Sequence, residues 1–214
     1  MDIVLSKGFP SLTMSRLADQ LELTPGALYR YFSSKDALIG ELEARAISQL
    51  HALLDAERAK WRPVLPREVV ATQSGLYEVV AVGVFYERLT LRQPRLFRLV
   101  SKTLADTEVL VSDHRAASNV AASLGGILRC VAEMFDAARA DGCLRPGNAE
   151  QRTAIYWSAH HGALQTDKLG RFAPALLASN LGPALRRALL SGWGADETLI
   201  GKAEHWAATE GKQR

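Results

Sequence analysis

Cysteine is scarce in this chain of 214 residues: there are two, Cys130 and Cys143, with no CxxC spacing and no pairing pattern. They read as reduced thiols of a cytoplasmic protein, with a single disulfide as the alternative. Long apolar runs are missing too, since no stretch approaches the roughly eighteen uninterrupted residues a membrane span needs. The start, MDIVLSKGF, lacks a basic region followed by an apolar core, so it does not read as a signal peptide. There is no internal repeat and no low-complexity tract. Charge of one sign is also in short supply: the net charge is +3 and the pI about 9.0. Residues 1–35 carry Lys7, Arg16, Arg30 and Lys35 against Asp2, Asp19 and Glu22, a surplus of one. Local charge alone therefore selects no nucleic-acid face.

What is present is a balance of 48% hydrophobic and 23% charged residues, that of an ordinary globular protein with a polar tail at Glu210–Arg214. Alternating runs bounded by hairpin turns are absent, and the pattern is helical throughout. Ile3–Ser6 reads as the end of a helix closed by Gly8. A helix over 14–21 follows the N-cap Thr13, with Met14, Leu17, Ala18 and Leu21 on one face. Thr24-Pro25 opens a short helix with contacts Leu28, Tyr31 and Phe32. Ser33 and Asp36 are spaced as a capping box for a long helix over 34–60, whose stripe is Leu38, Leu42, Ala46, Leu50 and Leu53. Further helices are predicted over 68–91, 95–105, 113–140, 149–167, 175–191 and 196–208. The expected fold is all-α, with a helix-turn-helix module over 1–46 and a helical domain over 47–214.

The segment Leu12–Ile39 carries the chemistry. Its two short helices, joined by Glu22-Leu23-Thr24, form a helix-turn-helix. Pro25, Gly26 and Ala27 leave the leading face of the second helix nearly bare, so it can approach a DNA groove. Its free N–H groups and positive dipole end favour phosphate. Tyr29, Tyr31 and Lys35 add phosphate donors, and Arg30 is the candidate for reading a guanine edge. Thr13, Ser15 and Thr24 are placed to hold flanking backbone.

In TPGALYRYFSSKDAL the chain resembles the recognition-helix pattern of the tetracycline-repressor (TetR) family, and the likeness runs over Leu12–Ile39. A shorter likeness lies in Ala140–Gln165, ending in a Trp-x-x-x-His-Gly motif at Trp157, His161 and Gly162. The family usually begins with a full first helix, of which only Asp2–Lys7 stand here, so that helix is expected to be short. The resemblance implies a homodimer, paired through helices 149–167 and 175–191 with Leu164, Leu177, Leu181, Ala184, Leu185 and Ala188 at the interface. It also implies a palindromic double-stranded operator and a small-molecule effector that releases the repressor, with the wedge acting near Leu53 and Trp61.

Other features read more plainly. His160 and His161 are adjacent, point about 100° apart on a helix and cannot chelate one ion together; packed histidines are expected and no metal. No nucleophile–base pair or paired carboxylates argue for catalysis, and no cofactor is expected. Gly125-Gly126 marks a bend or a close helix crossing. The run Arg88, Arg92, Arg95, Arg98 and Lys102 reads as a solvated face, with an acidic ligand or the DNA module as the alternative. Two stripes are candidate walls of an effector pocket: Tyr77 with Phe85, and Asn119, Ser123, Ile127, Cys130 and Met134, with Trp157 and His161 at the border. Two rival readings stand beside the repressor: a helical small-molecule-binding protein with impaired DNA binding, and a DNA-binding activator without a ligand.

Overall fold

A computed structural model describes residues 9–70, 72–105, 114–166, 172 and 181–209. The expected first helix at Ile3–Ser6, Leu177 and the tail Glu210–Arg214 lie outside the described residues. Within them the protein is helical, without strands: α1 (Met14–Gln20), α2 (Pro25–Tyr29), α3 (Lys35–Trp61), α4 (Arg67–Val70), α5 (Ser74–Arg92), α6 (Pro94–Ala105), α7 (His114–Ala140), α8 (Ala149–Thr166), α9 (Leu181–Gly192) and α10 (Glu197–Thr209). None of these helices is long and apolar enough to cross a membrane. The chain divides into two compact units, one holding the residues up to His51 with Gln93–Ile127, the other Ala52–Arg92 with the residues from Leu128.

In the first unit, α1 packs on α2 and buries Met14, Ala18 and Leu28. Thr13 caps α1, its Oγ1 accepting from the Arg16 N–H at 3.2 Å, as the sequence predicts. The end of α1 is less ordinary. The N–H groups of Glu22 and Leu23 return to the carbonyls of Asp19 and Ala18 at 3.2 and 2.9 Å, the Schellman arrangement. That places Glu22 at φ 56°, left-handed and usually glycine's position. α3 opens one residue later than the capping box predicts: the Ala37 N–H bonds to Ser34 Oγ at 3.0 Å, making Ser34 the N-cap in place of Ser33. Leu38, Ile39, Ala46, Ile47 and Leu50 form the buried face of α3. α7 runs through Gly125-Gly126 without a break. The glycines mark a close approach instead, since a Cβ at Gly126 would sit 3.4 Å from the His51 ring.

The second unit is built around α5, which is buried without interruption from Gly75 to Gly83 and is packed by α8, α9 and α10. A helix apolar on nearly every side belongs at the centre of its domain. The predicted helix 68–91 is two pieces, α4 and α5. The cause is tertiary: Asp141 Oδ2 accepts the Gly75 N–H at 3.0 Å, satisfying an orphan donor of a new helix start from 66 residues away. Phe135 meets both Tyr156 and Trp193 edge-on at 5.5 Å, and Tyr156 Oη donates to the Val79 carbonyl at 3.0 Å. The Tyr156 hydroxyl thus has a partner where it enters the core.

Candidate nucleic-acid interface and effector cleft

α2 is five residues long, and its local chemistry explains its position. Thr24 Oγ1 accepts the Ala27 N–H at 3.2 Å, and Pro25 occupies the first helical position, where no N–H is needed. Leu28 turns inward and anchors the helix. The opposite side is open: Pro25 and Gly26 are exposed, and a Cβ added at Gly26 would meet nothing within 4 Å. Tyr29 is 53% exposed, Arg30 is exposed, and Tyr31 is 78% exposed. Tyr31 therefore makes no apolar contact of the kind the pattern predicts, because α2 ends at Tyr29 and the next residues leave the helix. Its hydroxyl is available for phosphate instead. Thr13, Ser15 and Thr24 are exposed along the same segment, whereas Ala27 and Lys35 are half-buried.

The predicted effector-pocket residues are divided between the two units. Asn119 is exposed, Ile127 is half-buried, and Ser123 Oγ is paired with Ser48 Oγ at 3.2 Å, all in the first unit. In the second unit, Tyr77 is buried with its ring 5.5 Å from Trp206, and Phe85 meets Trp61 at 6.4 Å. Met134 is fully buried, and Cys130 Sγ lies 3.6 Å from Arg58 Nη1. His161 is held by Tyr86 Oη at 2.7 Å and Gln165 Nε2 at 2.8 Å, and stacks on Trp157 at 5.1 Å. As expected of packed histidines, His160 and His161 are both buried.

A cleft of about 870 Å³ opens elsewhere in the second unit, between α5, α8, α9 and α10. Its polar floor was not legible as a site in the sequence: Glu87 of α5, His160 of α8, Arg186 of α9 and Glu204 of α10. Arg186 Nη1 is hydrogen-bonded to Glu87 Oε1, and its Nε lies 3.4 Å from Glu204 Oε1. Burial pushes the Glu87 carboxyl above its usual range, against the pull of Arg186. Burial likewise pushes the His160 imidazole down to about 4, so it is neutral at physiological pH. Leu164 and Leu181, two residues predicted for a dimer face, line this cleft and are half-buried. Leu185 is half-buried, while Ala184 and Ala188 are exposed. Of the predicted cationic run, Arg88 reaches the Ala207 carbonyl at 3.0 Å and Arg98 bonds within α6 to the Pro94 carbonyl.

A capped helix pair that presents a bare, exposed second helix, followed by a larger helical part, defines an all-α fold with an N-terminal helix-turn-helix. Residues 4–42 match the family model for bacterial regulatory proteins, tetR family. Over that N-terminal segment the chain is similar to TetR-family proteins. Its fold is similar to that of the transcriptional regulator FadR from Bacillus subtilis, solved in complex with stearoyl-CoA, with TM-score 0.63, 14% identity and coverage of 89% of this chain and 94% of that one. It is similar also to a TetR-family regulator from Agrobacterium tumefaciens, with TM-score 0.62, 16% identity and 90% and 92% coverage. The fatty acid degradation regulator FadR from Bacillus halodurans gives TM-score 0.60, 16% identity and 89% and 94% coverage. No curated protein matches the chain in sequence.

Proposed function

We propose that the chain is a homodimeric repressor that binds a palindromic operator through α2 and is released from it by a small-molecule effector. The observation that carries this reading is the open face of α2. Gly26 has empty space around it, and Tyr29, Arg30 and Tyr31 stand out into solvent beside it. A purely structural corner has no physical reason to expose two tyrosines beside a helix end stripped of side chains. In this assignment Arg30 reads a base edge in the major groove. Thr13, Ser15, Thr24, Tyr29, Tyr31 and Lys35 hold phosphates, while Pro25, Gly26 and Ala27 permit close approach.

The exposed residues Ile155 of α8 and Ala184 and Ala188 of α9 are the surface we assign to the dimer. A two-fold dimer sets two recognition helices about 34–36 Å, or a multiple of that, apart on the duplex. An effector changes DNA affinity only if it binds one state better than the other. We assign α3, continuous from Lys35 to Trp61, to carry that preference to the DNA-binding segment. The helical part over 47–214 takes the effector role, and the cleft on α5, α8, α9 and α10 is its candidate seat. The test is selection of operator sequences from random duplexes, followed by fluorescence anisotropy of the winner across a salt series. A two-fold symmetric sequence bound with a steep salt slope is expected, and enrichment of no sequence would sink the reading.

A further inference from the structure

His160 presents an unusual chemical state at the floor of the cleft. Its Nδ1 lies 2.8 Å from the Tyr156 carbonyl, which can only accept, so Nδ1 carries the proton. In the neutral ring Nε2 is then a bare acceptor. Its neighbour is Glu87 Oε1 at 3.6 Å, a second acceptor beyond hydrogen-bond distance. Nε2 is buried and has no hydrogen-bond partner, and His160 as a residue is 1% exposed. Arg186 is 3% exposed, and its Nε–H faces Glu204 Oε1 at 3.4 Å. The two side chains converge: a Cβ built on Gly83 would lie 3.0 Å from His160 Nε2 and 3.0 Å from Arg186 Cδ. His160 Nε2 is therefore a buried acceptor with no donor, a cost native interiors avoid unless something fills the gap.

Charge decides what fills it. Glu87 and Glu204 supply two negative charges, and Arg88, Arg186 and Arg187 three positive ones, with Arg187 Nη2 2.9 Å from Glu204 Oε2. Arg186 and Arg187 are taken up by these carboxylates and Arg88 by the Ala207 carbonyl, and His160 is neutral. A carboxylate head has no proton to give Nε2 and would stand beside Glu87, and an ammonium head would face Arg186. A hydroxyl supplies the missing donor without a charge. Val84, Leu91, Leu164 and Pro183 add apolar wall, and about 870 Å³ is ample for a drug-sized body.

We infer that this cleft binds an uncharged, hydroxyl-bearing apolar molecule whose O–H donates to His160 Nε2. The inference rests on the effector reading above and names the ligand class, but its test reads binding directly. Calorimetry with the full chain compares para-butylphenol with its methyl ether, para-butylanisole, and with para-butylbenzoate. The phenol binds, and loss of the donor in the ether weakens binding about tenfold; the benzoate is the weakest of the three. His160→Asn keeps an N–H near the Tyr156 carbonyl and removes the Nε2 acceptor, so phenol affinity falls about tenfold while ether affinity holds. Ala208→Trp, at an exposed position on the cleft wall, leaves folding intact and weakens phenol and ether alike. Equal affinity for phenol and ether, tightest binding of the benzoate, no binding of any probe, or phenol affinity unmoved in Ala208→Trp would each overturn the inference. Phenol binding that leaves the operator complex intact would keep it and remove the effector reading instead.

Discussion

Arg58 Nε lies 2.6 Å from Glu78 Oε2, joining the last turns of α3 to the buried centre of α5. Arg62 Nε takes the other oxygen of the same carboxylate at 3.0 Å. Glu78 is 5% exposed, and both of its oxygens are taken by guanidinium groups. Glu78→Ala removes the acceptor, leaves Arg58 partly buried without it, and costs about 3 kcal/mol of folding stability. Glu78→Gln retains one acceptor and costs less. Urea midpoints of the three proteins, compared at one pH, check the order.

Glu22 occupies a left-handed conformation at φ 56° that an L side chain adopts at a cost. Glycine takes the same conformation freely. Glu22→Gly is expected to stabilise the fold by about 0.5–1 kcal/mol, the conformational gain being offset in part by the entropy of glycine in the unfolded chain. The change lies in the turn before α2, so a rise in thermal midpoint with unchanged operator affinity is the expected pair of results. A fall in the midpoint would mean that Glu22 makes interactions that outweigh its backbone strain.

The histidines make stability fall on acidification. His160 binds its proton near its ordinary value of 6.5 when unfolded and at about 4 when folded. Its contribution is present above pH 6.5 and lost as pH falls toward 4, about 2 kcal/mol between pH 8 and pH 5. His161, lowered by burial, acts in the same direction. Glu87 acts oppositely, because its raised folded value adds stability at low pH that is lost as pH rises through it. Denaturation at pH 8 and pH 5 is therefore expected to show a net loss, reduced in His160→Asn. An identical loss in wild type and variant would contradict the neutral, buried state of His160.

The proposed dimer face makes a solution prediction. Ala188 is exposed on α9, and Ala188→Glu sets two carboxylates at the proposed two-fold interface. Light scattering is expected to give twice the chain mass of 23.4 kDa for the wild type and a shift toward that mass for the variant. A wild type that scatters at 23.4 kDa at every concentration contradicts the interface.

Much of the fold was legible because its signals are local. Thr13 and Thr24-Pro25 start their helices where the sequence says, and Pro94 breaks the chain between α5 and α6. The α2 face was legible for the same reason, since a bare Pro-Gly-Ala start followed by Tyr29 and Arg30 is a pattern within seven residues. What escaped depends on partners far apart in the chain. The start of α5 is set by Asp141, and the cleft floor is assembled from Glu87, His160, Arg186 and Glu204 on four helices. Each of these looks like an ordinary helix charge when read alone. The available hint was periodic: Glu87 stands four residues after Gly83, and Arg186 four after Gly182, each on a small-residue face. The stripe from Asn119 to Met134 does not share one environment, since Asn119 is exposed and Met134 is fully buried.

The most direct test of the account is the comparison of Arg30→Ala and Lys35→Ala on a selected operator and on an unrelated duplex. Arg30 stands exposed just past the end of α2, so its loss weakens the operator complex by about 1–3 kcal/mol and relaxes base preference at one position per half-site. Lys35, at the start of α3, weakens both duplexes nearly equally and lowers the salt slope by about one unit. Operator binding that survives Arg30→Ala with its base preference unchanged would contradict the assignment of α2 as the element that reads DNA.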